Sequence, residues 1–256
     1  MVLDGVLQHS QAESSNILVE STVAWVATND ASPLKGQDVE KLWYDILKNT
    51  TDTPMPAPDC SGRCHKDVTE DEIRLNAQGF LLSPQTLART QFANALLQAS
   101  QGDVTLLSTS LPEIYTWSLY VGLAIGCQDW ALRTSSFEDF QAKIRIGEVF
   151  APLNKGASQS WSLQASCIGW PAPLANPPAK LKVQTKDPIL MVSVIRDPST
   201  SYTWAVGMLE EIENHVLLTR NGDGHTSWGF GGVTTDAINH FLVTTEPPAP
   251  GTVLDS

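Results

Sequence analysis

Apolar residues recur along the chain in two rhythms, and the change between them falls near residue 170. From about residue 16 to 150 the spacing is helical. In GQDVEKLWYDILKN, Val39, Leu42, Trp43, Ile46 and Leu47 lie three and four apart and so share one helix face. SPQTLARTQFANALLQAS predicts another helix, with Ser83 as N-cap and Pro84 at the first helical position. SLYVGLAIGC is apolar all round, which predicts a buried helix. SSFEDFQAKIRIGEVF opens on a serine cap with acids in the first turn, where they meet the positive end of the helix dipole.

The stretch 169–188, GWPAPLANPPAKLKVQTKDP, carries five prolines and reads as a connector. Beyond it the rhythm shortens. PILMVSVI (188–195) is a continuous β-rich apolar run, as for a strand covered on both faces of a parallel sheet. SYTWAVGMLEEI (201–212) predicts a helix, HVLLTR (215–220) a second strand and TTDAINHFLV (234–243) a closing helix. Strand, helix, strand, helix in this order is a βαβα unit, so the fold class is α/β. At the other end of the chain, MVLDGVL reads as a short buried strand closing into a loop.

Composition narrows the field. At 42% hydrophobic over 256 residues, the chain can bury a sizeable core as one or two domains. Its formal net charge of −12 argues against nucleic acid and against an anionic membrane surface as partners. No run reaches the ~18 apolar residues of a spanning helix. MVLDGVLQHSQAESS lacks the basic n-region of a signal peptide, so no export signal is expected within it. The compartment stays open.

Four cysteines, Cys60, Cys64, Cys127 and Cys167, fit either two disulfides in any of three connectivities or free buried thiols. The missing signal favours the thiols. DCSGRCH (59–65) offers thiolates and an imidazole to zinc, but a structural site needs about four ligands and no second pair exists. No metal and no cofactor are expected. Asn49-Thr50-Thr51 is a glycosylation sequon, of consequence only in a secreted chain.

The candidate chemistry lies at the predicted strand ends, where open α/β sheets collect their functional groups. Asp197 follows the first strand in VIRDPSTSY, and His225 follows the second in RNGDGHTS. Between them lies enough chain for one helix and one strand. Parallel neighbouring strands then place carboxylate and imidazole side by side, where the acid fixes the tautomer and leaves the other ring nitrogen as a base. A histidine after a strand is more often a surface residue, and Asp-Pro a common turn opener. Asp before His at the last two strand ends is nonetheless the α/β-hydrolase arrangement. A phosphate-binding reading of GDGHTS is weaker, because the third glycine is lacking and the next helix begins too late.

CIGWP, NPP, PILMVSVIRDPSTSYTWAVGM, LLTRNGDGHTS and FLVTTEPPAPGTV together resemble the C-terminal region of the tripeptidyl aminopeptidase-like (TAP-like) α/β-hydrolases, with a fungal character. AIGCQDW resembles the end of that family's cap region, and MVLDGV the strand after its nucleophile helix. The likeness is strong over 167–253 and thin over 30–110. It implies a partial α/β-hydrolase fold: 1–15 a core strand and loop, 16–165 a helical cap, and 166–256 the C-terminal core segment. It also implies that Asp197 and His225 are acid and base of a Ser-His-Asp triad, that at least one disulfide forms, with Cys127–Cys167 in view, and that full-length relatives are often secreted.

The family's nucleophile sits in a G-x-S-x-G elbow. No glycine here opens such a pentapeptide; GASQSW and GHTSWG carry serines but do not match it. By the resemblance, the elbow and the oxyanion-hole loop would precede Met1. MVLDGVL would then be an edge strand with unpaired backbone groups. Three readings follow. The chain is part of a serine hydrolase acting on a peptide, ester or amide, with Trp25, Trp43, Trp117 and Trp130 lining an apolar pocket or, more often for such residues, filling the core. Or it is a non-catalytic remnant or interaction protein that keeps the Asp and His. Or a separate polypeptide supplies the missing half.

Overall fold

Six consecutive buried residues, Ile189 to Val194, run through the middle of the main sheet. A computed structural model of the chain describes residues 1–8, 20–111, 117–129, 134–153, 159–174 and 177–255. In chain order the elements are β1 (Val2–Asp4), α1 (Glu20–Thr28), α2 (Val39–Thr51), β2 (Met55–Pro56), β3 (Asp67–Val68), α3 (Glu70–Leu81), α4 (Thr86–Ser100), α5 (Trp117–Asp129), α6 (Phe137–Phe150), α7 (Gln159–Cys167), β4 (Ile189–Arg196), α8 (Tyr202–Met208), β5 (His215–Asp223), α9 (Gly232–Thr244) and β6 (Val253–Asp255). Two short 3₁₀ turns, Pro58–Cys60 and Thr105–Leu107, complete the set.

The main sheet has the order β1-β4-β5-β6, and every pairing is parallel. Alternate residues of β4 feed opposite faces. Ile189 and Met191 pack with Val6, Ala205, Met208 and Ile212, whereas Leu190 and Val192 pack with Val216, Leu218, Ile238 and Phe241. A strand covered on both faces has no polar side to show, which is why its sequence does not alternate. The fold is α/β, a four-stranded parallel sheet consistent with part of an α/β-hydrolase core, joined to a large helical region.

That helical region has its own core. Helices α1 to α4 close around Trp43, Ile46, Ile73, Phe92 and Leu96, with the antiparallel pair β2–β3 at one side. The short hairpin interrupts the all-helical reading of residues 16–150. Trp43 Nε1 donates to the Leu153 carbonyl at 2.5 Å, and the buried Arg74 donates to the same oxygen while pairing with Glu70 at 2.7 Å. Trp43 is therefore core. Trp25 is half-buried beneath the Arg89 guanidinium, 5.7 Å from its ring centre. Trp130, the side chain of Trp117 and residues 9–19 lie outside the described residues.

Several local expectations need correction. All four cysteines pair, as Cys60–Cys64 and Cys127–Cys167, and do not remain free thiols. The second bridge ties α5 to α7. Helix α5 is not buried on all sides: Tyr120 is 55% and Ile125 53% exposed, because among the described residues its main neighbour is α7. Helix α4 starts at Thr86 after Gln85, and Ser83 instead accepts from the Gln85 N–H in the turn before it. Leu82 and Pro84 are drawn against the loop that carries His225, which holds this segment out of the helix. Helix α8 ends at Met208, short of residue 212. Glu211 turns inward there, accepting from Gln8 Nε2 and the Leu181 N–H, both at 2.8 Å. The cap expected for α6 does form, Ser136 Oγ accepting from the Asp139 N–H at 3.1 Å.

Candidate active site

β4 and β5 are adjacent and parallel, so the turns that follow them lie side by side. Asp197 leaves β4 just past a register irregularity between Val194 and Arg196. The Asp-Pro-Ser-Thr turn folds back on the aspartate side chain, as Asx turns do. Asp197 Oδ1 accepts from the N–H groups of Ser199 and Thr200, both at 2.8 Å, and Oδ2 accepts from Thr200 Oγ1 at 2.9 Å. The residue is 3% exposed, yet its charge is well satisfied by donors.

His225 Nδ1 lies 3.0 Å from Asp197 Oδ2 and 3.1 Å from Oδ1. Thr200 Oγ1, 3.3 Å from the same nitrogen, completes the cluster. A carboxylate at Nδ1 keeps the ring proton there, leaving the Nε2 lone pair available. Among the described residues no hydrogen bond reaches Nε2, and the side chain is 31% exposed. The imidazole pKa is raised, first by the hydrogen bond to Asp197, then by the charges of Asp197 and Asp4, against an opposing effect of burial. The arrangement orients the imidazole by its Nδ1 side and leaves its Nε2 side open, a geometry that can serve proton transfer.

The helical region reaches both turns. Gln78 of α3 donates to the Pro198 carbonyl at 2.6 Å, and the His225 N–H donates to the Leu82 carbonyl at 2.8 Å. Arg89 of α4 bonds Asp223, at the end of β5, at 2.6 Å. Gly224 leaves room for this contact: a Cβ there would meet Pro84 Cδ at 2.7 Å. A surface cleft of about 300 Å³, lined by Val23, Ala27, Asp38, Val39, Glu40 and Leu153 among others, contains neither member of the pair.

Asp4 and Arg220 were not evident as site residues from the sequence. Asp4, at the end of β1, accepts from the Ser227 and Trp228 N–H groups at 2.8 and 2.7 Å. Arg220, buried in β5, donates to the Thr226 carbonyl at 2.9 Å and to Ser227 Oγ at 3.1 Å. The place of Asp4 at a strand end and of Arg220 within an apolar strand were the available signals, but their partners are set by the sheet order.

Residues 151–254 match the family model described as "TAP-like protein", an α/β-hydrolase family; the match spans less than half of the chain. No curated protein matches the chain. With the parallel sheet, the match supports an α/β-hydrolase-like, TAP-like character for this C-terminal segment.

Proposed function

We propose that Asp197 and His225 are acid and base of a serine hydrolase acting on a peptide, ester or amide, and that its nucleophile is carried by polypeptide outside these 256 residues. The observation that carries this reading is the buried Asp197 carboxylate at 3.0 Å from Nδ1, with Nε2 open on the other side. Nε2 takes the serine proton as the hydroxyl oxygen attacks the carbonyl carbon. The imidazolium, stabilised by Asp197, then gives that proton to the leaving amine or alkoxide. Water repeats the sequence to release the acid. The helical region, resting on both catalytic turns through Gln78 and Leu82, shapes the substrate pocket as a cap. By the family resemblance, the substrate is an unblocked peptide N-terminus; a small ester or amide fits the same chemistry. The absence of any G-x-S-x-G in the chain supports a nucleophile from a longer product or a partner chain.

Fluorophosphonate labelling tests this, with His225→Ala as control. The folded chain alone should stay unlabelled, and label should appear when sequence carrying an elbow is supplied, as a longer product or as a second polypeptide. His225-dependent label on this chain alone would overturn the external nucleophile. No label in the longer product and none with a second polypeptide would favour the non-catalytic reading.

A further inference from the structure

His225 is followed by a strained residue. Thr226 has φ 62°, in the left-handed region that residues with side chains enter at a cost. Such a conformation persists only where the surroundings over-determine it. Two side chains do so here. Asp4 takes the N–H of Ser227 at 2.8 Å through Oδ2 and 3.1 Å through Oδ1, and that of Trp228 at 2.7 Å. Arg220 holds the Thr226 carbonyl at 2.9 Å and the Asp223 carbonyl at 2.8 Å. Beside Asp4, Gly5 adopts φ 77° and lies against the ring, so that a Cβ there would stand 3.0 Å from His225 Cε1 and from Thr226 Cγ2. The end of β1 is thus the seat of the imidazole: one residue grips the loop and the next makes room for the ring.

We propose that Asp4 is a positioning residue for His225: by clamping the Ser227 and Trp228 N–H groups it holds Thr226 in its left-handed conformation, and so keeps Nδ1 on Asp197 with Nε2 facing outward. The proposal rests on the reading of His225 as a base. Asp197 remains the carboxylate that touches the ring. The charges that face the cluster are Asp4 from β1, Arg196 from β4, Asp197 from the turn after it, and Arg220 and Asp223 from β5, with Arg89 of α4 bonded to Asp223. Removing the Asp4 charge takes away one of the causes that raise the imidazole pKa.

The test is nuclear magnetic resonance of the ¹⁵N-labelled chain in wild type, Asp4→Asn and Asp4→Asn/Thr226→Gly. Asparagine keeps the size and one acceptor but loses the charge and the second acceptor. The Ser227 and Trp228 amides should exchange faster by roughly ten- to a hundredfold, the equivalent of one charge-assisted hydrogen bond. The His225 midpoint should fall, and its Nδ1 proton signal should broaden. Glycine at 226 adopts positive φ without a clamp, so the double variant should regain the Nδ1 signal while the midpoint stays low. A purely structural role for Asp4 would not produce that split. Wild-type midpoint and exchange in folded Asp4→Asn would overturn the proposal, as would a double variant with no recovery. If Asp4→Asn does not fold, the double variant carries the test. Failure of both to fold also overturns it, since Asp4 would then determine the fold and not the ring. The readout is the ring and not turnover, so failure of the hydrolase reading leaves the result interpretable.

Discussion

Replacing Asp197 by asparagine isolates the charge of the pair from its geometry. The amide oxygen can take the Oδ1 place and keep the Ser199 and Thr200 N–H groups, both at 2.8 Å. The amide nitrogen then sits where Oδ2 was, facing Thr200 Oγ1 as an acceptor and His225 Nδ1 as a clash of donors. One charge-assisted hydrogen bond is lost, worth about 1.5–3 kcal/mol. The pH dependence has a fixed sign. The folded-state pKa of His225 is raised above its ordinary 6.5, so its contribution to stability is fully present below that value and is lost as pH rises through the raised midpoint. Urea unfolding followed by tryptophan fluorescence should therefore show the larger destabilisation of Asp197→Asn at about pH 5.5 and the smaller at about pH 9. A destabilisation equal at the two pH values, or larger at the alkaline one, would refute an Asp197-stabilised imidazolium.

Other consequences are checked by the same unfolding assay. Gly5→Ala forces a side chain into φ 77° and toward the His225 ring, and should cost roughly 1–2 kcal/mol from the backbone alone. Removing the Cys127–Cys167 bridge, whose partners are 40 residues apart, should cost about 4 kcal/mol by loop entropy; opening Cys60–Cys64, 4 apart, should cost about half that. Gln78→Ala strips a buried donor from the Pro198 carbonyl and should cost about 1–3 kcal/mol. Its effect should also appear in the amide exchange of the Ser199–Thr200 turn.

What the sequence discloses and what it conceals divide along the range of the interactions. β4 was legible because a doubly covered strand is a continuous apolar run that needs no partner to be recognised, and β5 from the shorter apolar run Val216–Leu218. The meeting of Asp197 with His225 was legible because each lies just past the end of a strand, so that their adjacency needs only adjacent parallel strands. Asp4 was not legible as part of the site. In isolation it is an acid ending a short strand, and its partners, Ser227 and Trp228, arrive only through β1 pairing with β4. The early end of α8 has the same origin, since Glu211 is drawn inward by Gln8 from the far end of the chain. Helix α5 misled in the opposite direction: an all-round apolar pattern signals burial only if neighbours cover every face, and among the described residues α7 is its main cover. The cysteines were open to two readings because spacing alone does not distinguish a thiol pair from a bridge.

The state of one ring decides whether Asp197 and His225 form an acid–base pair. Nuclear magnetic resonance of the His225 imidazole in the unmodified chain, titrated through neutrality, reads both its tautomer and its midpoint. The prediction is a proton on Nδ1 in the neutral form and a midpoint above the ordinary 6.5. A ring that carries its neutral-form proton on Nε2, or titrates at or below that value, would mean that Asp197 does not prepare His225 as a base.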